Sequence, residues 1–134
     1  MEDWETVFGS NSNSGLYSTD NVKSIRAIKK AAINNGLDYV YIDLKRVSNK
    51  ESLLKAVARA LHFPSYFGMN WDALNDCLKD MSWKPAAGYV VVLDNFRSVS
   101  EHLNTEVQIV RSIFESSAEY WREKKAPFYI ILFE

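Results

Sequence analysis

Apolar positions along the chain follow two patterns, one with strand character and one with the longer period of a helix. Asp38 to Leu44 (Asp-Tyr-Val-Tyr-Ile-Asp-Leu) is short, β-branched and aromatic, which favours a strand. Tyr89 to Leu93 and Phe128 to Phe133 are unbroken apolar runs, as expected of strands covered on both faces. Leu53, Leu54, Val57, Ala58 and Leu61 share a stripe that predicts a helix from Lys50 to Leu61, capped by Ser48 or Asn49 and stopped before Pro64. A further helix is predicted over Trp71 to Met81 with Asn70 as its cap and Ala73, Leu74, Cys77, Leu78 and Met81 on its apolar arc. The spacing of Leu103, Val107, Val110, Ile113, Phe114 and Tyr120 predicts a long helix over Val99 to Arg122, interrupted near Ser116-Ser117.

Before Asp38 the pattern is weaker. Gly9 to Ser14 is small and polar and reads as a loop, flanked by Trp4 to Phe8 and Leu16 to Ser18, each long enough for a short strand at most. Ser18, Thr19 or Asp20 can cap a helix from Val22 to Asn34, whose apolar positions Val22, Ile25, Ala32 and Ile33 are partly helix-spaced, with Lys23, Arg26, Lys29 and Lys30 on its wet face. Strands alternating with helices predict an α/β fold with a parallel sheet, because parallel neighbours need crossovers.

A length of 134 residues suits one domain, spanning 1–134. With 47% hydrophobic and 13% aromatic residues, the chain is too apolar to be disordered. Sixteen basic against seventeen acidic side chains leave a net charge of -1. No overall field draws the chain to nucleic acid or to a membrane, so neither is expected as a partner, and either would have to be met by a local patch. The single cysteine, Cys77, excludes an internal disulfide framework, and the start Met1-Glu2-Asp3-Trp4-Glu5 lacks the character of a secretory signal. The cytoplasm is the expected compartment. Glycine-rich phosphate loops are absent, and His62 and His102 form no zinc-binding pair. No cofactor and no metal are expected.

The most informative segment is Pro64 to Leu78. On the predicted helix the arc opposite the core collects Asp72, Asn75 and Asp76, with Asp80 beyond, and no Lys or Arg occurs from Phe63 to Leu78. Acids near a helix amino terminus are ordinary, since they complement the dipole. Here Tyr66 and Phe67 stand beside a glycine just before them, and a rigid ring next to uncompensated carboxylates is the make-up of a binding hot spot for a cationic partner.

Tyr66-Phe-Gly-Met-Asn-Trp-Asp-Ala-Leu-Asn-Asp-Cys-Leu78 resembles the signature of the barstar family, intracellular protein inhibitors of small secreted ribonucleases. A weaker likeness runs from Asp38 through Lys50 to Leu61 and Tyr89 to Ile130-Ile-Leu132, leaving 1–36 as an extension before a 37–134 core. The resemblance implies a small three-stranded parallel sheet packed with helices, to which the extension adds a strand and a helix. It also implies stoichiometric inhibition without turnover, so no enzyme, with a basic ribonuclease or toxin domain as partner; a monomer is expected.

The positions matching the family pattern are Tyr66, Gly68, Asn70, Asp72 and Asp76. Carboxylates on a rigid helix can take the place of phosphate in a cleft of Arg, Lys and His. Asp76 is the candidate for the deepest contact and Asp72 for a rim cation; Tyr66 would stack on an active-site side chain, and Gly68 would let the two backbones approach. The pattern departs at Asn75, where a well-studied member of the family has a large aromatic, and at Met69, which replaces an acid. The later acidic contact falls on Glu115 or Ser116.

Other residues have plainer explanations. Cys77 lies on the apolar arc and reads as core. Trp71 and Trp83 can close the core at the helix ends, with Trp83 also a candidate contact. His62 follows a helix carboxyl end, where a structural role is favoured, and His102 sits alone on a polar helix face. Two alternatives stay open: the same surface serving a cationic partner that is no ribonuclease, and a magnesium enzyme using Asp43, Asp94 and Glu134 at the strand ends. The second lacks a lysine for a phosphate.

Overall fold

The computed structural model describes residues 3–21 and 23–134. Strands β1 (Gly15–Thr19), β2 (Asp38–Asp43), β3 (Tyr89–Asp94) and β4 (Phe128–Phe133) form one sheet in the order β1-β4-β3-β2. All three adjacent pairs are parallel. The helices are α1 (Trp4–Phe8), α2 (Ser24–Asn34), α3 (Lys50–Ala60), α4 (Trp71–Leu78), α5 (Phe96–Ser100) and α6 (Asn104–Glu123), with a 3₁₀ turn at Asn11–Asn13. No described helix is long and apolar enough to cross a membrane.

The unbroken apolar runs of β3 and β4 reflect helices on both sheet faces. Val91, Leu93, Ile130 and Leu132 pack with α3, α4 and α6 on one face; Val90, Val92, Tyr129 and Ile131 pack with Trp4, Phe8 and Ile28 of α1 and α2 on the other. The fourth strand comes from the extension. Gly15 pairs with Tyr129 at its start and Thr19 with Phe133 at its end, and buried Ser14 accepts from the Phe128 N–H (3.0 Å) and donates to the Ala126 carbonyl (3.1 Å).

Four expectations are corrected. Trp4 to Phe8 is a helix rather than a strand: its two rings, one helical turn apart, lie 5.6 Å from each other in the core, and Asp3 accepts from the Thr6 N–H. Ser18, Thr19 and Asp20 do not cap α2, because pairing with β4 holds residues 18 and 19 in the sheet. Instead Asn21 accepts from the Lys23 N–H (3.1 Å), and the helix begins at Ser24; the expected start, Val22, lies outside the described residues. The long carboxyl-terminal helix is divided at Glu101 to Leu103 into α5 and α6, and it runs unbroken through Ser116-Ser117, where the Ser117 hydroxyl donates to the Ile113 carbonyl (2.8 Å). Finally, α4 ends at Leu78, and Met81 reaches the core from a left-handed backbone turn (φ 55°).

Candidate functional site

The site begins where α3 stops. Its end carries a Schellman turn, with the Phe63 N–H on the Ala58 carbonyl (2.9 Å) and the His62 N–H on Arg59 (3.3 Å). His62 occupies the left-handed position usually taken by glycine (φ 53°), so its role there is set by backbone geometry. The turn sends the chain into an aromatic brace. Phe63 stands edge-on to Phe67 (4.9 Å between centroids) and to Trp83 (5.5 Å), and the Trp83 indole N–H donates to the Leu61 carbonyl (3.0 Å). Trp83 is therefore half-buried, with its polar edge committed to α3.

The brace leaves Tyr66 outside. It is 74% exposed, the largest value among the exposed large hydrophobic side chains. Asn70 then starts α4 by accepting from the Ala73 N–H (2.8 Å) while its amide donates to the Gly68 carbonyl (3.2 Å). A β-carbon at Gly68 would stand 3.3 Å from that amide, so glycine keeps the cap undisturbed. Met69, at φ 53°, makes the last reversal before the helix.

On α4, Leu74, Cys77 and Leu78 are buried while Asp72 and Asp76 are exposed; Asn75 is half-buried between them. Among the described residues the ion pairs are Glu51–Lys55 and Asp38–Lys84, so neither Asp72 nor Asp76 has an ionic partner. Burial first, then the carboxylates of Asp80 and Asp76, push the Cys77 thiol up, consistent with a core cysteine.

Three lysines lie against aromatic rings, two of them across different helices. Lys50, at the start of α3, lies 5.1 Å from the centroid of the Trp71 ring. Lys79 and Lys124 approach the Tyr120 ring at 5.8 and 5.0 Å. Lys50 and Lys79 thus stand at the two ends of the acidic helix, each held on an aromatic ring. No periodicity connects Lys50 with Trp71, because the contact joins two helices across a loop. Glu115 and Ser116 are exposed on α6, and Glu115 lines a groove with Glu119, Arg122 and the β1 segment.

The strand-end acids are engaged separately. The Tyr41 hydroxyl donates to Asp94, and Asp43 accepts from the Asn95 amide (2.7 Å) and the Lys45 N–H (2.9 Å). Glu134 accepts from the Ser18 hydroxyl (3.0 Å). Among the described residues no three His, Cys, Asp or Glu side chains gather in a way that could hold a metal ion. His102 is not alone: its ring nitrogens lie 3.1 and 3.2 Å from the carbonyl oxygens of Ser98 and Val47, tying α5 to the segment before α3.

The family model described as Barstar (barnase inhibitor) matches residues 37–132, a span that holds β2, β3, α3 to α6, all of β4 but its last residue and the whole Tyr66 to Asp76 surface. The chain belongs to the barstar family. Comparison with curated proteins gives no match. Family membership suggests a role as an inhibitor or immunity protein rather than an enzyme. The elements α1, β1 and α2 lie outside the matched span.

Proposed function

We propose that this chain is a stoichiometric inhibitor that plugs the cation-lined cleft of a ribonuclease inside the producing cell, acting as a single unit over its 134 residues. The observation that carries the reading is the pair Asp72 and Asp76, exposed and without an ionic partner among the described residues, on a helix whose start is fixed by Asn70. A cleft that binds phosphate offers guanidinium, ammonium and imidazolium groups at fixed positions. Two carboxylates one helical turn apart can satisfy such groups and present no bond to cleave. The order already present in the free protein supports tight binding, since little more has to be lost on association. Tyr66 supplies apolar contact, Gly68 and Asn70 hold the backbone that presents it, and Trp83 braces the loop from behind. Asn75 contributes a hydrogen-bonding amide, and the lysines at the border select against cleft rims that are uniformly positive.

The test is titration of small basic ribonucleases with the purified chain, following RNA cleavage. Inhibition should saturate at one equivalent and associate more slowly as salt rises. Asp76→Ala should weaken it by about tenfold or more. Inhibition unaffected by Asp72→Ala and Asp76→Ala together would refute this surface. Capture of a cationic protein without nuclease activity, lost in the same variants, would keep the surface and replace the target.

A further inference from the structure

Strand β2 is an edge of the sheet, and among the described residues no strand pairs on its outer side. Its Asp38 N–H bonds the Gly88 carbonyl (2.9 Å), and just past its end the Leu44 N–H bonds that of Asp94 (3.1 Å). The even-numbered residues therefore face β3, and Tyr39, Tyr41 and Asp43 direct their N–H and C=O groups outward. Such an edge is normally blunted or covered, because it templates pairing with another chain.

Both flanks of this edge are basic. On one sheet face α2 carries Lys23, Arg26, Lys29 and Lys30, all exposed; Lys29 lies 5.9 Å from the Tyr39 ring centroid, and a groove of about 550 Å³ opens along Lys23, Ile25, Arg26 and Lys29. On the other face a groove of about 360 Å³ beside α3 is lined by Arg46, Lys55 and Arg59 together with Asp43. Of these seven cations only Lys55 has an ion-pair partner among the described residues, Glu51 at 2.9 Å. Nearby acids are occupied: Asp38 by Lys84 (2.9 Å), Asp94 by Tyr41 and Asp43 by Asn95. Two of the three most exposed large apolar side chains, Ile33 and Tyr41, also lie here, on α2 and β2.

We infer that β2 docks an extended acidic polypeptide segment, which adds as a fifth strand. Side chains of an added strand alternate between the faces, so one row of carboxylates reaches the α2 cations and the other the α3 groove. The outward N–H and C=O groups supply the ladder. A nucleic acid would answer the cations but leave the outward carbonyls without the regularly spaced N–H donors of a polypeptide. A second copy pairing antiparallel through β2 would set the cations of its α2 beside those of the first. This surface uses none of the residues assigned to the ribonuclease.

The experiment uses the full chain with a synthetic peptide, Val-Glu-Glu-Thr-Glu-Glu-Val, its Lys-for-Glu counterpart and single-stranded oligouridylate. Binding is followed by fluorescence anisotropy and by amide hydrogen exchange. The acidic peptide should bind in a salt-sensitive manner and slow exchange at the Tyr39 and Tyr41 amides. Tyr41→Pro, which removes one outward donor, and Lys29→Glu with Arg59→Glu, one change on each flank, should each weaken it by about tenfold. Failure of the acidic peptide to bind at millimolar concentration would overturn the inference, as would binding without protection of those amides. Preferential binding of the oligouridylate, or dimerisation of the chain through β2, would overturn it as well.

Discussion

Asp72 and Asp76 stand one helical turn apart with the same charge, an arrangement that costs α4 a few tenths of a kcal/mol. Replacing Asp76 by asparagine should therefore raise the stability of the free protein by about 0.2–0.5 kcal/mol while weakening inhibition. Urea denaturation and nuclease titration of the same variant check the two signs; a loss of stability would mean that Asp76 has an internal role. These carboxylates and Tyr66 are readable in the sequence because they lie within one short segment whose helical phase separates wet from dry. The Lys50–Trp71 and Lys79–Tyr120 contacts are not, because each joins two helices through the fold, whereas Lys124 meets Tyr120 one turn away at the end of α6.

At the level of elements, the helix starts are the legible part. Asn49 and Asn70 accept the expected N–H groups of Ser52 and Ala73, both at 2.8 Å, since a cap acts within three residues. Helix ends are less so. Gly36, at φ 71°, signals the stop of α2, yet α3 and α6 end on His62 and Lys125 in the same left-handed conformation, where the Trp83 indole donates to the Leu61 carbonyl (3.0 Å) and the Asn11 amide to the Lys125 carbonyl (2.7 Å) from far along the chain. Gly88 has a role that no local pattern announces. Its carbonyl accepts from Asp38 at the start of β2, and an added β-carbon would fall 2.5 Å from Pro127 Cβ and 2.7 Å from the Pro127 carbonyl oxygen. Gly88→Ala must part β3 from the entry to β4, and its expected cost is about 1–3 kcal/mol in chemical denaturation. An unchanged midpoint would show that the strand entries can spread freely.

For the molecule as a whole, the extension outside the family match is a structural component. It supplies β1 at the open side of β4 and the helices that cover Val90, Val92, Tyr129 and Ile131. Each such side chain returned to water costs about 1.5–3 kcal/mol, which is large against the stability of a small domain. A 37–134 fragment should thus be aggregated or unfolded by circular dichroism and gel filtration, even though it contains the matched span; a folded, soluble fragment would contradict this account. The molecule should also lose stability in alkali. Burial pushes the hydroxyls of Tyr39, Tyr41, Tyr89 and Tyr129 up, and for Tyr41 the bond to Asp94 adds to it. The unfolded chain then releases these protons first, so stability is intact below about pH 10 and falls as pH rises beyond it. Urea midpoints across that range should decline, less steeply in Tyr41→Phe; a midpoint that climbs would reverse the sign.

The sequence by itself determined the strand and helix alternation, two of the helix caps, the parallel α/β class and the acidic segment, because each is written in residues a few positions apart and acts through local backbone geometry or periodicity. Tertiary structure alone decided that Trp4 to Phe8 is helical, that β1 joins β4 as a fourth strand, that Lys50 reaches Trp71 at the start of the acidic helix, and that two basic helices flank one open edge. Those outcomes depend on contacts between segments distant in the chain, and burial against a partner element outweighs the weak preferences of a five-residue stretch.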